Sequence, residues 1–206
     1  MIATPLRTPS LGRRRLLGFF AFALSGCASL PDEPETAKSA SATTAPVAAR
    51  EALRALSRFA LAGRFSARHE GRHLSGGFAY RTDGLNTIAE VFSPLGNVLA
   101  RLQIDAQGTT LALADGSVQT SATVASLIER FTGLTARDEA LPLWLRGLPA
   151  TRPVAPGEER FIEHGWSIEL LATDQDEPSL PRRMRWQPLA SPDSEILWLI
   201  DRWVFD

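Results

Sequence analysis

Phe59-Ala60-Leu61-Ala62-Gly63-Arg64-Phe65-Ser66-Ala67 decides the fold class. Its large apolar residues fall at every second position, the period of an extended strand and not the 3.6-residue period of a helix. Short runs of the same kind follow at residues 76–82, 86–92, 98–104, 109–113 and 117–120. They are separated by Asp83-Gly84, Pro94-Leu95-Gly96, Gln107-Gly108 and Asp115-Gly116. Asp-Gly pairs between alternating runs are good hairpin signals. The pattern predicts an antiparallel meander that packs as a sandwich or a barrel.

Outward from this meander the period changes. Residues 48–58, with Leu53 and Leu56 three apart, suit a short amphipathic helix. Downstream, Ser121 or Thr123 can cap a helix carrying Val124, Leu127, Ile128 and Phe131, which Gly133 ends. Asp138 can cap a second helix bearing Leu141, Leu143, Trp144 and Leu145, with Pro142 tolerated in its first turn. Strand-like runs at 165–171, 181–187 and 196–205 close the chain. The expectation is a mainly β, α+β domain with helices laid on one side of one continuous sheet. The last run is apolar on both faces, so both are covered or one faces an apolar cavity.

The N-terminus is of another kind. Arg7, Arg13, Arg14 and Arg15 precede the apolar run 16–24 (LLGFFAFAL), and Ser25-Gly26-Cys27 follows. That is the layout of a secretory leader, too short to span a hydrocarbon core of ~30 Å. Leu24-Ser25-Gly26-Cys27 resembles the bacterial lipobox, which implies cleavage before Cys27 and lipidation of its thiol. Cys27 is the only cysteine, so an intrachain disulfide is impossible. Residues 31–47 (PDEPETAKSASATTAPV) lack large apolar side chains before Val47 and read as a flexible, somewhat extended tether. The expected organisation is a leader at 1–26, a lipidated tether at 27–47 and one folded domain at 48–206. Ala28 in place of Asp after the cysteine is consistent with outer-membrane sorting by the rule of enteric bacteria.

Loss of the leader removes four arginines and no acid, leaving 18 basic against 23 acidic residues. A balance of −5 argues against nucleic-acid binding, which needs a clustered basic face. His69-Glu70-Gly71-Arg72-His73 matches the zinc-protease pattern H-E-x-x-H. That chemistry needs both histidines on one helical face with the glutamate as base. Here a glycine sits at the centre and strand-like sequence precedes it. On a strand the histidines lie roughly 13 Å apart. No metal or cofactor is expected, and no other catalytic motif appears.

Several pieces in order resemble the LolB family of outer-membrane lipoprotein receptors. They are Gly63-Arg64-Phe65, Phe92-Ser93-Pro94-Leu95-Gly96, Phe131-Thr132-Gly133, Leu143-Trp144-Leu145-Arg146-Gly147-Leu148-Pro149, Gly165-Trp166 and Ile200-Asp201-Arg202-Trp203-Val204. The resemblance implies an unclosed antiparallel β-barrel, a half-barrel, whose helices plug an apolar cavity for acyl chains. It implies as partners a periplasmic carrier like LolA, the acyl chains of lipoproteins and outer-membrane lipid, with the chain acting as a lipid-anchored monomer on the periplasmic face. Leu95, between Pro94 and Gly96, then takes the role of an apolar tip that helps deliver lipoproteins into the membrane. Without the family, a leucine folded back onto the core fits the same tripeptide. Candidate cavity walls are Phe65, Phe78, Phe92, Trp144, Trp166, Trp186, Trp198 and Trp203, though large residues also serve as plain core. A passive outer-membrane lipoprotein of the same fold is the alternative.

Overall fold

The structure, a computed structural model, describes residues 47–205. The leader, Cys27 and the tether up to Pro46 lie outside the described residues. Helix α1 (47–54) leads into six strands: β1 (Phe59–His69), β2 (Arg72–Thr82), β3 (Thr87–Phe92), β4 (Val98–Asp105), β5 (Gly108–Leu113) and β6 (Val118–Thr120). Helices α2 (Val124–Thr132) and α3 (Leu141–Trp144) interrupt the meander. Strands β7 (Arg160–Glu163), β8 (Trp166–Thr173), β9 (Pro181–Pro188) and β10 (Glu195–Val204) complete it.

The ten strands form one antiparallel sheet in the order β6-β5-β4-β3-β2-β1-β10-β9-β8-β7. β6 and β7 are edges that do not pair with each other, so the barrel stays open. Its curvature has a local cause between β1 and β10, where the register shifts at Ala62/Gly63. A Cβ on Gly63 would stand 2.0 Å from the Leu199 carbonyl oxygen, so only glycine permits this close approach.

Alternation along each strand builds the two faces. On β10, Ile196, Trp198 and Ile200 are buried on the concave side. Leu197 and Leu199 are half-covered on the convex side, where they share a shallow depression with Arg64 and Arg183. The doubly apolar run thus meets the apolar cavity on its inner face through Trp198, as the second alternative expects, while its outer face is half-covered beside Arg64 and Arg183.

Hairpin turns divide between two rims. One rim carries the turns at 70–71, 93–97, 114–117, 164–165 and 189–194; the other carries 83–86, 106–107 and 174–180. α1 lies at the second rim. Its first residue, Val47, lines a groove with Leu171, Ala172, Thr173 and Pro178, and the Ser57 side chain beyond its end abuts Gly84.

The helix caps follow sequence with one exception. Thr123 and Ser126 form a reciprocal capping box, and Gly133 ends α2 at φ 74°. α3 starts at Ala140 without a side-chain cap. Asp138 instead accepts a hydrogen bond from the Ala125 N–H at 2.9 Å and so caps the first turn of α2. The expected cap is correct in kind but serves the neighbouring helix, which the loop 133–140 brings within reach. β7 was not expected: its four residues become a strand only by pairing with β8.

Candidate functional site

α2 is held against the concave face by an amphipathic stripe. Ala125 and Leu127 are buried, while Val124, Ile128 and Phe131 are half-covered. Between this helix and the sheet lies an apolar cavity of about 50 Å³. Phe65, Phe78, Tyr80, Val91 and Trp198 form its floor, and Val124, Leu127, Ile128, Phe131 and Leu145 its roof. Burial pushes the Tyr80 phenol up, which keeps it neutral. Glu90 and Thr132 complete the lining, but the surface that the lining exposes to the cavity is almost wholly apolar. The cavity has room for only a few water-sized groups.

The eight proposed wall residues separate into four sets. Phe65, Phe78 and Trp198 face the cavity, with Trp198 edge-on to Phe78 at 4.9 Å. Trp144, Trp166 and Trp186 lie behind it as core. Trp186 contacts Trp198 at 5.1 Å and Trp144 at 5.6 Å, while Trp166 donates from its indole to the Thr135 carbonyl. Trp203 is half-buried near the second rim, where its indole donates to the Pro181 carbonyl. Phe92 corrects the expectation outright. Ala89 and Val91 are the inward residues of β3, so the alternation turns Phe92 to the convex face.

Two polar anchors that sequence reading missed hold the roof in place. Glu163 on β7 accepts hydrogen bonds from the Trp144 indole, the Ala150 and Thr151 N–H groups and the Thr151 hydroxyl. Burial pushes its carboxyl up, but these four donors outweigh it and hold the pKa at about 2. Arg146, buried and 4.8 Å from the Phe59 ring centroid, donates to the Pro142, Leu53 and Leu56 carbonyls. It thereby ties α3 to the end of α1. A Trp-Leu-Arg run shows neither partner without the fold.

Leu95 stands at the tip of the 93–97 turn, 89% exposed. The Gly96 N–H donates to the Ser93 carbonyl, and the Ser93 N–H to the Asn97 carbonyl. The Asn97 N–H reaches the Ser93 hydroxyl, and Gly96 takes φ 86°. This closed turn projects the leucine outward. A leucine folded onto the core is not what the chain adopts.

The His-Glu-Gly-Arg-His segment is the β1–β2 hairpin. Glu70 and Gly71 form its tight turn at φ 49° and 75°. His69 pairs across the ladder with Arg72, and His73 with Arg68. His69 packs against Gly133 and lies 3.0 Å from the Ser194 hydroxyl. The helical face on which a zinc protease depends does not exist here. Among the described residues no group of three or more His, Cys, Asp or Glu is gathered at one point.

Comparison with known proteins agrees with this architecture. Residues 57–203 match the family profile described as outer membrane lipoprotein LolB. The outer-membrane lipoprotein LolB of Bordetella petrii is 30% identical, over 80% of this chain and 81% of its own. That of Chromobacterium violaceum is 31% identical, over 85% of this chain and 91% of its own. Among solved structures, a LolA superfamily protein from Nitrosomonas europaea superposes with a TM-score of 0.50 at 8% identity. It covers 80% of this chain and 93% of that one, a likeness of fold. With an open antiparallel half-barrel, an apolar cavity beneath α2 and a match across the whole meander, the chain belongs to the LolB family of outer-membrane lipoproteins.

Proposed function

We propose that this chain receives lipoproteins from a LolA-like periplasmic carrier, shelters their acyl chains beneath α2 and releases them into the outer membrane. The protein is exported through its 1–26 leader, lipidated on Cys27 and held by the 27–47 tether on the periplasmic face. The domain at 48–206 works there as a monomer, without enzymatic chemistry. One observation supports this function: an apolar cavity roofed, apart from Leu145, by one amphipathic helix with a half-covered stripe. An acyl chain cannot fit the closed cavity, so α2 must lift. The apolar stripe it uncovers then packs against the acyl chain instead of the sheet. Transfer needs only a small affinity difference, because about 1.4 kcal/mol is tenfold. No nucleotide is required.

Filling the cavity tests the acyl-binding step. Val91→Phe adds a ring to the floor and should cost no more than about 1–3 kcal/mol of stability. It should weaken binding of a displaceable hydrophobic fluorophore roughly tenfold. Unchanged binding in a folded variant would place the ligand elsewhere.

Leu95 tests the delivery step. Dipping one leucine into a bilayer gains about 1.5–3 kcal/mol at most. Leu95→Glu should therefore slow incorporation into liposomes tenfold or more, by the tenfold-per-1.4 kcal/mol relation. Because the residue is exposed, thermal stability should shift by no more than about 0.5 kcal/mol. Acceptance from the carrier should be unaffected. Normal delivery by this variant would favour a passive lipid-binding lipoprotein.

A further inference from the structure

We infer that Leu189 is a second lipid-dipping tip, so that the protein meets the outer membrane at two points of the Leu95 rim and not at one. This rests on the proposed delivery role of Leu95.

Eight large hydrophobic side chains are exposed among the described residues. Five of them, Leu95, Val98, Val118, Ile162 and Leu189, stand in the turns of this rim or within two residues of them. Leu189 opens the turn between β9 and β10 and is 51% exposed. That turn is held from several sides. The Leu189 N–H donates to the Gly165 carbonyl of the neighbouring β7–β8 turn at 2.8 Å, and the Ser194 N–H donates to the Ser191 carbonyl. The Gln187 side chain donates to the Pro192 carbonyl and the Arg68 guanidinium to the Asp193 carbonyl. The Ser194 hydroxyl lies 3.0 Å from the His69 ring. An apolar side chain on a turn fixed in this way gains further burial only from a surface outside the molecule.

The placement of the two tips suits a bilayer. In the sheet order the β3–β4 and β9–β10 turns lie four strand spacings apart. That is roughly 19 Å along the sheet at ~4.8 Å per spacing, and less across the curved rim. A folded partner would need a separate pocket for each tip at that spacing, whereas a fluid acyl layer takes both. The β1–β2 turn stands between them, where Glu70 is followed by Arg72 and His73, a mixed-sign group suited to the headgroup layer. Ile162 enlarges the second contact. It shares one cross-strand row with Ser167 and Gln187, and Gln187 is two residues from Leu189.

The opposite rim lacks this character. Leu85 is exposed there, but the turns and strand ends around it carry Asp83, Asp105, Asp174, Asp176 and Glu177. Hydrogen bonds from Asn86 and Leu85 hold the Asp83 carboxyl at about 2, so it stays charged at neutral pH. Ionised carboxylates resist transfer toward an apolar layer. With one tip the domain could swivel on the membrane; with two, the line from Leu95 to Leu189 fixes its tilt.

The test uses the full lipidated chain, a LolA-like carrier loaded with fluorescent lipoprotein, and vesicles of phosphatidylethanolamine and phosphatidylglycerol. Leu189→Glu should slow delivery into the vesicles about threefold to tenfold, or about 0.7–1.4 kcal/mol at 1.4 kcal/mol per decade. Leu189→Phe should deliver as wild type does. Because the two tips are well separated, the double variant with Leu95→Glu should show the product of the two single effects. Acceptance from the carrier and thermal stability should stay unchanged. A direct readout comes from one added thiol, since lipidation consumes Cys27, the only native cysteine. A lipid-borne quencher should act more strongly on a fluorophore at Ala190→Cys than at Gln107→Cys on the opposite rim, and Leu189→Glu should reduce that excess. Unchanged delivery by Leu189→Glu overturns the inference, as does equal quenching at the two labels. Slowed acceptance makes Leu189 a carrier contact, and lost thermal stability makes it core; either result also overturns it. Leu95→Glu, assayed in parallel, separates the two readings. If it slows delivery and Leu189→Glu does not, the second tip alone fails; if neither slows delivery, the delivery reading itself falls.

Discussion

Glu163→Ala should lower unfolding stability by about 3–5 kcal/mol, since it strips a charged acceptor from several buried donors worth roughly 1–3 kcal/mol each when unpaired. The Trp144 indole at 2.8 Å and the Ala150 and Thr151 N–H groups, each at 2.7 Å, all point at this one carboxylate. Together they bind the edge strand β7 to the segment following α3. Urea denaturation provides the measurement, with the midpoint lowered and the m-value retained. A loss below about 1 kcal/mol would show that water replaces the carboxylate at no great cost. The same residue sets an acid limit. Its ordinary pKa of 4.5 falls to about 2 in the folded chain, so ionised Glu163 stabilises the fold fully above pH 4.5. That contribution is lost as pH falls from 4.5 through 2. Hydrogen bonding lowers Glu51 through Arg54 and Glu158 through Arg152 in the same direction. Wild type should therefore weaken steeply over this window and Glu163→Ala less so. Parallel acid limbs in the two proteins would remove Glu163 from that account.

Cys27→Ala should abolish incorporation of labelled palmitate and leave the precursor uncleaved by the lipoprotein signal peptidase. The magnitude follows from the acyl chains themselves. Each buried methylene contributes about 0.8 kcal/mol, and two lipid signals already make anchoring stable. Among the described residues no helix is long and apolar enough to cross a membrane. Any remaining attachment of the variant then rests on the uncleaved leader and its apolar run 16–24, and not on acyl chains. The electrophoretic size of the accumulated precursor checks the prediction alongside the palmitate label. Palmitate in the mutant protein, or its cleavage before residue 27, would overturn the assignment of Cys27 as the anchor.

The meander was legible because its causes are local. Phe59, Leu61, Phe65 and Ala67 alternate, and all four are buried on one face of β1. Asp83-Gly84 and Asp115-Gly116 are turns because their backbone chemistry permits little else. Thr123 and Gly133 mark the ends of α2 for the same reason. β7 escaped notice because four residues carry too little pattern, and the strand exists by virtue of β8. The family resemblance reached the turn at Leu95, but its outward projection depends on the hydrogen bonds that Ser93, Gly96 and Asn97 make in three dimensions.

Sequence alone determined where strands and turns fall, that α2 has one apolar stripe, and that the match to the LolB family runs through the whole meander. Only tertiary structure decided which large side chains meet a cavity. Trp144 and Trp198 are both apolar aromatics in apolar runs, yet one is locked to Glu163 behind the wall and the other forms the floor. Phe92 looked like cavity lining and faces outward, because its position in the β3 alternation relative to Ala89 and Val91 places it there. Asp138 went to the wrong helix for an equivalent reason, since a carboxylate caps whichever N–H groups the fold brings within reach. Period and turn chemistry act over a few neighbouring residues, whereas strand register, face and hydrogen-bond partner are set between segments far apart in the chain, as Arg64 and Asp201 are across 137 residues.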